Sequence, residues 1–206
     1  KIMFYSIVRF LLAPFFRIFY PFKTIHKERL TNEGNTIVIC NHLGKIDVVY
    51  VELLFKGKSY IISKKEWFKN KLQSKILYSM GAIPVDRDKP DLKAMKMGLE
   101  VLKNNKRFIM FPEGTRNKTD ADLLPIKNGP GYFAHKCNST IIPLTIYKKG
   151  RFMRKNYVYV GEPFKLDCQD QKFTAEINDK ITQRITDELL KLRKEVNEYV
   201  AEKKKK

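Results

Sequence analysis

Cysteine is scarce in this 206-residue sequence: Cys40, Cys137 and Cys168 are odd in number and share no paired spacing. That argues against a disulfide framework and suits a reducing compartment. Histidine is equally scarce. His26, His42 and His135 stand far apart, with no CxxC, HxH or HExxH arrangement, so a zinc site finds no ligand set and no metal is expected. Acidic side chains are few as well: 22 Asp and Glu against 41 Lys and Arg leave a formal net charge of +19. Such a surplus favours a polyanionic partner, whether nucleic acid, an anionic membrane face or a phosphorylated substrate. The chain lacks internal repeats and low-complexity linkers, and its length suits one domain with a substantial core.

An uncharged apolar run of about 20 residues, the length that spans a bilayer, is also missing. The nearest approach is "IMFYSIVRFLLAPFFRIFYPF" from Ile2 to Phe22, broken by Arg9, Pro14, Arg17 and Pro21. An arginine near the middle of a spanning helix costs at least about 2.5 kcal/mol. At about 100° per residue, Arg9 and Arg17 fall about 80° apart on one side of an otherwise apolar wheel. The pattern predicts an interfacial membrane segment over residues 1–24, followed by the main domain over 25–206. A buried helix capping the domain is the alternative. No small-residue cleavage site comes after it, which argues against a signal peptide. The first residue is Lys1, not methionine, which leaves room for residues upstream.

Beyond this segment the sequence alternates between strand-like and helix-like runs. "NTIVIC" (35–40), "KSYIIS" (58–63), "GAIPVD" (81–86), "RFIMF" (107–111), "TIIPLTIY" (140–147) and "NYVYVG" (156–161) are strand-like. Helical character is expected over 47–55, over 66–80, after a capping Asp91 with Met95, Leu99 and Leu102 on one face, and over 174–200 before a solvated "KKKK" tail. This order predicts a single α/β domain whose sheet is covered by helices.

Three stretches carry possible chemistry. In "NHLGKID" (41–47), His42 and Asp47 are five positions apart. In a continuous helix they would point about 140° apart. They meet if a strand ends near Cys40, His42 sits in a turn eased by Gly44, and a helix begins just before Asp47. Asp47 then fixes one ring tautomer and leaves the other nitrogen free to accept a proton. By itself the spacing is equally compatible with a turn histidine bonded to a helix-capping aspartate. "FPEGTR" (111–116) comes after a strand and presents Thr115 and Arg116 as anion donors beside Glu113, with Gly114 making the turn. "GAIPVDRD" (81–88) sets Arg87 between two aspartates, which also reads as a local surface ion pair.

In this order, the stretches resemble the glycerolipid acyltransferase family that includes the 1-acylglycerol-3-phosphate acyltransferases. NHLGKID is similar to its N-H-x4-D block, GAIPVDR to its second block, FPEGTR to its F-P-E-G-T-R block, and "IIPLTI" (141–146) to its proline-containing block. "KNGPGYFAHK" (127–136) resembles the segment after EGTR in the family. Pro84 and the proline after Gly129 depart from the family pattern.

The resemblance implies a glycerol-3-phosphate acyltransferase-like fold. It also implies transfer of a fatty acyl group from an acyl-CoA or acyl carrier protein (acyl-ACP) thioester to a hydroxyl of a lysophospholipid. His42 would be the general base and Asp47 its orienter. Lys64, Arg87, Glu113, Gly114, Thr115 and Arg116 would hold the substrate. No cofactor is implied, only the acyl thioester as co-substrate. Lysophosphatidic acid is the favoured acceptor, with glycerol-3-phosphate, another lysophospholipid or a lyso-ornithine lipid as alternatives. The expected setting is an anionic membrane surface, bound monotopically on the cytoplasmic face. Two rival classes are a basic nucleic-acid-binding module, for which no recognition signature is present, and a cysteine acyl-enzyme using Cys40 two positions from His42.

Overall fold

The structure is a computed structural model that describes residues 2–32, 34–86 and 89–205. Central to it is β2 (Thr36–Cys40), five consecutive buried residues, "TIVIC". A strand that is apolar on both faces needs cover on both sides, which parallel sheets with crossover helices provide. β2 pairs in parallel with β5 (Arg107–Met110) and with β6 (Thr140–Ile146). β3 (Ser59–Lys64) and β4 (Ala82–Val85) extend the sheet beyond β5. Beyond β6 lies β7 (Asn156–Val160), antiparallel to it, and then β1 (Phe22–Ile25). The resulting order is β1-β7-β6-β2-β5-β3-β4.

Alternate residues of β2 face opposite layers. Ile37 and Ile39 join the core beneath α4 (Leu92–Lys103), α5 (Gly129–Cys137) and α6 (Ala175–Lys205). Val38 and Cys40 join the other core, against Tyr50, Val51 and Phe55 in and just after α2 (Asp47–Leu54). The expected α/β domain is thus present, with some differences in detail. The helix expected over 66–80 is a 3-10 turn (Lys65–Phe68) followed by α3 (Lys71–Ser79). Asn70 separates them: its side-chain oxygen accepts from Leu72 N–H at 2.9 Å and Gln73 N–H at 3.2 Å, capping a new helix. On α4 the fully buried stripe is Ala94, Gly98, Val101 and Leu102, while Met95 and Leu99 are half-buried. Small residues face inward there because the sheet and α5 already supply Phe108 and Phe133. α6 runs on to Lys205, so most of the basic tail is helical.

α4 begins where expected. Asp91 accepts from Ala94 N–H at 3.0 Å and also from Asp86 N–H at 3.0 Å. These donors hold its carboxyl below the usual aspartate range. Asp91→Ala is expected to cost about 1 kcal/mol of stability. Because the folded value is lowered, this contribution is present above the ordinary aspartate range and is lost as pH falls through the lowered one. Chemical denaturation of both proteins at neutral and acid pH measures it.

α1 (Ile2–Phe19) inverts the usual amphipathic arrangement. Tyr5 and Arg9 on it face the protein. Arg9 donates to Glu52 O at 3.0 Å and Phe55 O at 2.6 Å, capping the C-terminus of α2, and to Tyr5 Oη at 2.9 Å. Tyr5 in turn reaches Glu52 Oε1 at 2.5 Å, and burial with the Glu52 charge pushes its phenol up to about 12. Ile7, Phe10, Leu11 and Ile18 face outward, with Phe10 77% exposed. Arg9 and Arg17 therefore do not share one solvent-facing side: Arg17 alone is exposed. The boundary at 24/25 falls inside β1, so the end of the N-terminal segment belongs to the sheet. No described helix is long and apolar enough to cross a membrane.

Candidate active site

β2 and β5 are parallel neighbours, with Ile39 opposite Met110, so the chains leaving their carboxyl ends emerge side by side. One carries Asn41 and His42, the other Phe111, Pro112 and Glu113. In sheets of this kind, the crevice beyond the carboxyl ends of the strands is where ligands bind.

The turn is built as the spacing requires. β2 ends at Cys40, and α2 starts at Asp47. Asp47 is fully buried, and its Oδ2 accepts from Leu43 N–H at 2.5 Å and Gly44 N–H at 2.6 Å. His42 Nδ1 lies 2.9 Å from the same oxygen. Two backbone donors already fix that oxygen as an acceptor, so Nδ1 carries the proton and Nε2 keeps its lone pair. The imidazole lies against Phe111, with centroids 4.2 Å apart and planes 22° apart. Its side chain is 13% exposed, so the ring is held yet reachable.

Three residues whose contacts sequence reasoning missed hold this turn. Asn41 is buried, and its side-chain oxygen accepts from Ile146 N–H at 2.8 Å while its amide donates to Ile146 O at 3.1 Å. The strand exit is thereby locked to the end of β6. Asn117 N–H donates to His42 O at 2.7 Å. Glu113 Oε1 accepts from His42 N–H at 2.6 Å, and its Oε2 accepts from Leu124 N–H at 2.9 Å. All three partners are distant in sequence, so no local pattern announces them.

Glu113, expected among the substrate-holding residues, is 2% exposed, with both oxygens accepting from backbone donors. Burial pushes its carboxyl up from the usual range, and the two N–H groups pull it back in part. It ties the FPEGTR turn to the histidine turn. Gly114 makes the turn at φ 67°, where a side chain would be strained and would collide with Lys127, whose Cε lies 2.7 Å from an ideal Cβ. Thr115 and Arg116 are exposed on the same turn.

His42, Phe111, Gly114 and Lys127 border one cavity of about 320 Å³, whose apolar wall includes Ile62, Val85 and Phe133. Lys127 belongs to the KNG segment and is a further cation lining the same cavity as His42 that the motifs did not single out. Lys64 is not brought to this cavity: its Nζ pairs with Glu66 at 3.5 Å. Its neighbour Lys65 turns the other way, 2.5 Å from Asp86, which lines the cavity. Arg87 lies outside the described residues. A larger groove of about 1430 Å³ lies between α3 and α4, toward the amino ends of β3 to β5 and away from His42.

Cys40 offers no rival nucleophile. It is fully buried, and burial together with the Asp47 and Glu113 charges raises its thiol well above the usual range, so the thiolate is strongly disfavoured. His135 is likewise part of the framework, its Nε2 lying 3.0 Å from Cys168 O.

Comparison with known proteins shows the family. Residues 22–147 match the family model described as Acyltransferase. The 1-acyl-sn-glycerol-3-phosphate acyltransferase of Streptococcus pneumoniae is 30% identical over 186 residues, 86% of this chain and 68% of that protein. The enzyme of the same name from Bacillus subtilis is 28% identical over 151 residues, 68% of this chain and 72% of that protein. The crystal structure of the 1-acyl-sn-glycerophosphate acyltransferase PlsC from Thermotoga maritima shares the fold, with a TM-score of 0.68 at 22% identity over 95% of this chain and 79% of that one. A motif order read from the sequence, the turn it folds into and a family match spanning both place this chain in the acyltransferase family.

Proposed function

We propose that the protein is a 1-acylglycerol-3-phosphate O-acyltransferase. It moves a fatty acyl group from an acyl-CoA or acyl-ACP thioester to the sn-2 hydroxyl of 1-acyl-glycerol-3-phosphate, giving phosphatidic acid. The observation that carries this reading is the convergence of Leu43 N–H, Gly44 N–H and His42 Nδ1 on one oxygen of buried Asp47, which leaves His42 Nε2 as the proton acceptor.

The acceptor hydroxyl gives its proton to Nε2 as its oxygen attacks the thioester carbonyl. Collapse of the tetrahedral intermediate breaks the C–S bond, and the imidazolium returns the proton to the departing thiolate. A thiol ionises near about 8.5, so the leaving group needs little help and alcohol activation is the demanding part. The direct transfer uses no acyl-enzyme and no metal. Arg87, Thr115, Arg116 and Lys127 supply the cations and donors that hold the acceptor phosphate, and the apolar cavity wall suits an acyl chain. The relatives' names support lysophosphatidic acid as the acceptor. The outward apolar face of α1 supports monotopic binding to an anionic membrane on the cytoplasmic face, where acceptor and thioester meet.

The test is acyl transfer in detergent, with long-chain acyl-CoA or acyl-ACP as donor and lysophosphatidic acid, glycerol-3-phosphate and lysophosphatidylcholine competing as acceptors. Phosphatidic acid is the expected product. Preferential use of another acceptor would move the assignment to that substrate, and no transfer to any of them would end it. Arg87→Ala is expected to raise the acceptor Michaelis constant about 10- to 100-fold, the worth of one charge-assisted contact. An unchanged constant and turnover would remove Arg87 from the phosphate site.

A further inference from the structure

β6 and β7 are joined by "YKKGRFMRK", residues 147–155, which holds five cationic side chains and no acidic one. Residues 151–155 are all exposed, and the two large apolar side chains among them are 58% exposed at Phe152 and 59% at Met153. Apolar groups presented this openly between exposed cations in sequence call for a partner that offers both phosphate and hydrocarbon.

The loop is firmly held. At its base, Asn156 accepts from Lys148 N–H at 3.2 Å and donates to Lys148 O at 2.6 Å. At its tip, Met153 N–H donates to Phe19 O at 2.7 Å, and the Phe152 ring stacks on Phe19 at 5.2 Å and 12°. Met153 takes φ 55°, a conformation that a residue with a side chain adopts only where its surroundings impose it. The outward direction of Phe152 and Met153 is therefore built in, and it continues the exposed apolar strip of α1 through Phe15 and Ile18. On its inner side the loop rests on the histidine turn. An ideal Cβ on Gly150 would come within 2.7 Å of Tyr50 Oη and 3.0 Å of Ile46 Cγ2, and one on Gly44 within 3.1 Å of Lys149 Cγ.

We infer that the β6–β7 loop is a second bilayer contact beside α1: Phe152 and Met153 enter the interface, and Lys149, Arg151, Arg154 and Lys155 engage the phosphates of anionic phospholipid. The inference rests on the membrane reading of α1 and deepens it. It sets the turn that carries His42 and Asp47 directly behind a lipid-contacting loop, so the acceptor reaches the base from the bilayer surface.

The test exploits the single tryptophan, Trp67. The 206-residue chain carrying Trp67→Phe and Phe152→Trp is mixed with phosphatidylcholine vesicles, alone or with phosphatidylglycerol, in the absence of acyl donor and acceptor. A blue shift of emission on anionic vesicles is expected, together with at least a tenfold or so weaker partition of Arg151→Glu/Arg154→Glu protein. Unshifted emission while the protein floats with the vesicles would overturn the inference and leave α1 as the contact. An equal shift on neutral vesicles would overturn the anionic assignment. A shift with acyl carrier protein but not with vesicles would overturn it in favour of an acidic protein partner. Insertion by a protein that transfers acyl groups to no acceptor would refute the proposed reaction and leave the loop's role standing. Transfer in detergent without insertion would do the reverse.

Discussion

His42→Ala is expected to lower acyl transfer about 10²- to 10⁴-fold in turnover, while the melting temperature is expected to stay near that of the parent. The loss comes from the geometry: Nε2 is the only ring position left to take the hydroxyl proton once Nδ1 is committed to Asp47. The fold survives because the turn does not depend on the imidazole. Leu43 and Gly44 still donate to Asp47, and Glu113 and Asn117 still hold the backbone of residue 42. Asp47→Ala should behave differently, losing activity and stability together, since it strands two buried N–H groups as well as releasing the ring. Turnover measured beside thermal unfolding separates the two. Parental turnover in His42→Ala would discard the base mechanism outright.

Glu113→Ala is expected to cost about 2–6 kcal/mol of stability, because the N–H groups of His42 and Leu124 each lose an acceptor worth about 1–3 kcal/mol. Turnover should fall with it as the histidine turn loosens, while the acceptor Michaelis constant of the folded fraction stays close to the parent. A raised Michaelis constant with unchanged stability would return Glu113 to the phosphate site that its motif suggests. The pH dependence supplies an independent sign. The carboxyl is raised by burial, so between the ordinary glutamate value and the raised one the native state binds more protons than the unfolded chain. Stability from this group therefore falls as pH rises through that window, opposite to Asp91. Glu113→Gln should remove that slope, which denaturation at a series of pH values would detect.

Glu113 also marks where the sequence stops speaking. The strand-turn-helix around His42 is legible because everything it needs is local: β-branched residues through Cys40, small residues in the turn, and an aspartate at the spacing that lets it reach back. Asp91 is legible as a cap for the same reason. The role of Glu113 depends on a backbone N–H 71 positions away, and that of Asn41 on Ile146, 105 positions away. Register between strands decides both, and register is invisible to a local pattern. Lys64 and Lys65 show a finer limit. Adjacent residues at a strand end point to opposite sides, and which one turns toward Asp86 is settled by where β4 lies. Arg9 shows a third: a helical wheel separates faces without saying which one meets the protein, and the carbonyls at the end of α2 claim the polar side.

The placement of β2 has a consequence for synthesis. It is the central strand of the sheet, yet both of its neighbours come late: Thr36 pairs with Arg107 on one side and with Thr140 on the other. A chain emerging from the ribosome therefore makes its most apolar strand about seventy residues before either edge can be paired. Pairings between strands this far apart in sequence are slow to close, and an unpaired apolar edge invites association with other chains. α1 emerges earlier still, with its own apolar face outward. Early capture of α1 by a membrane would hold the nascent chain apart from its copies through the interval in which β2 waits for its partners.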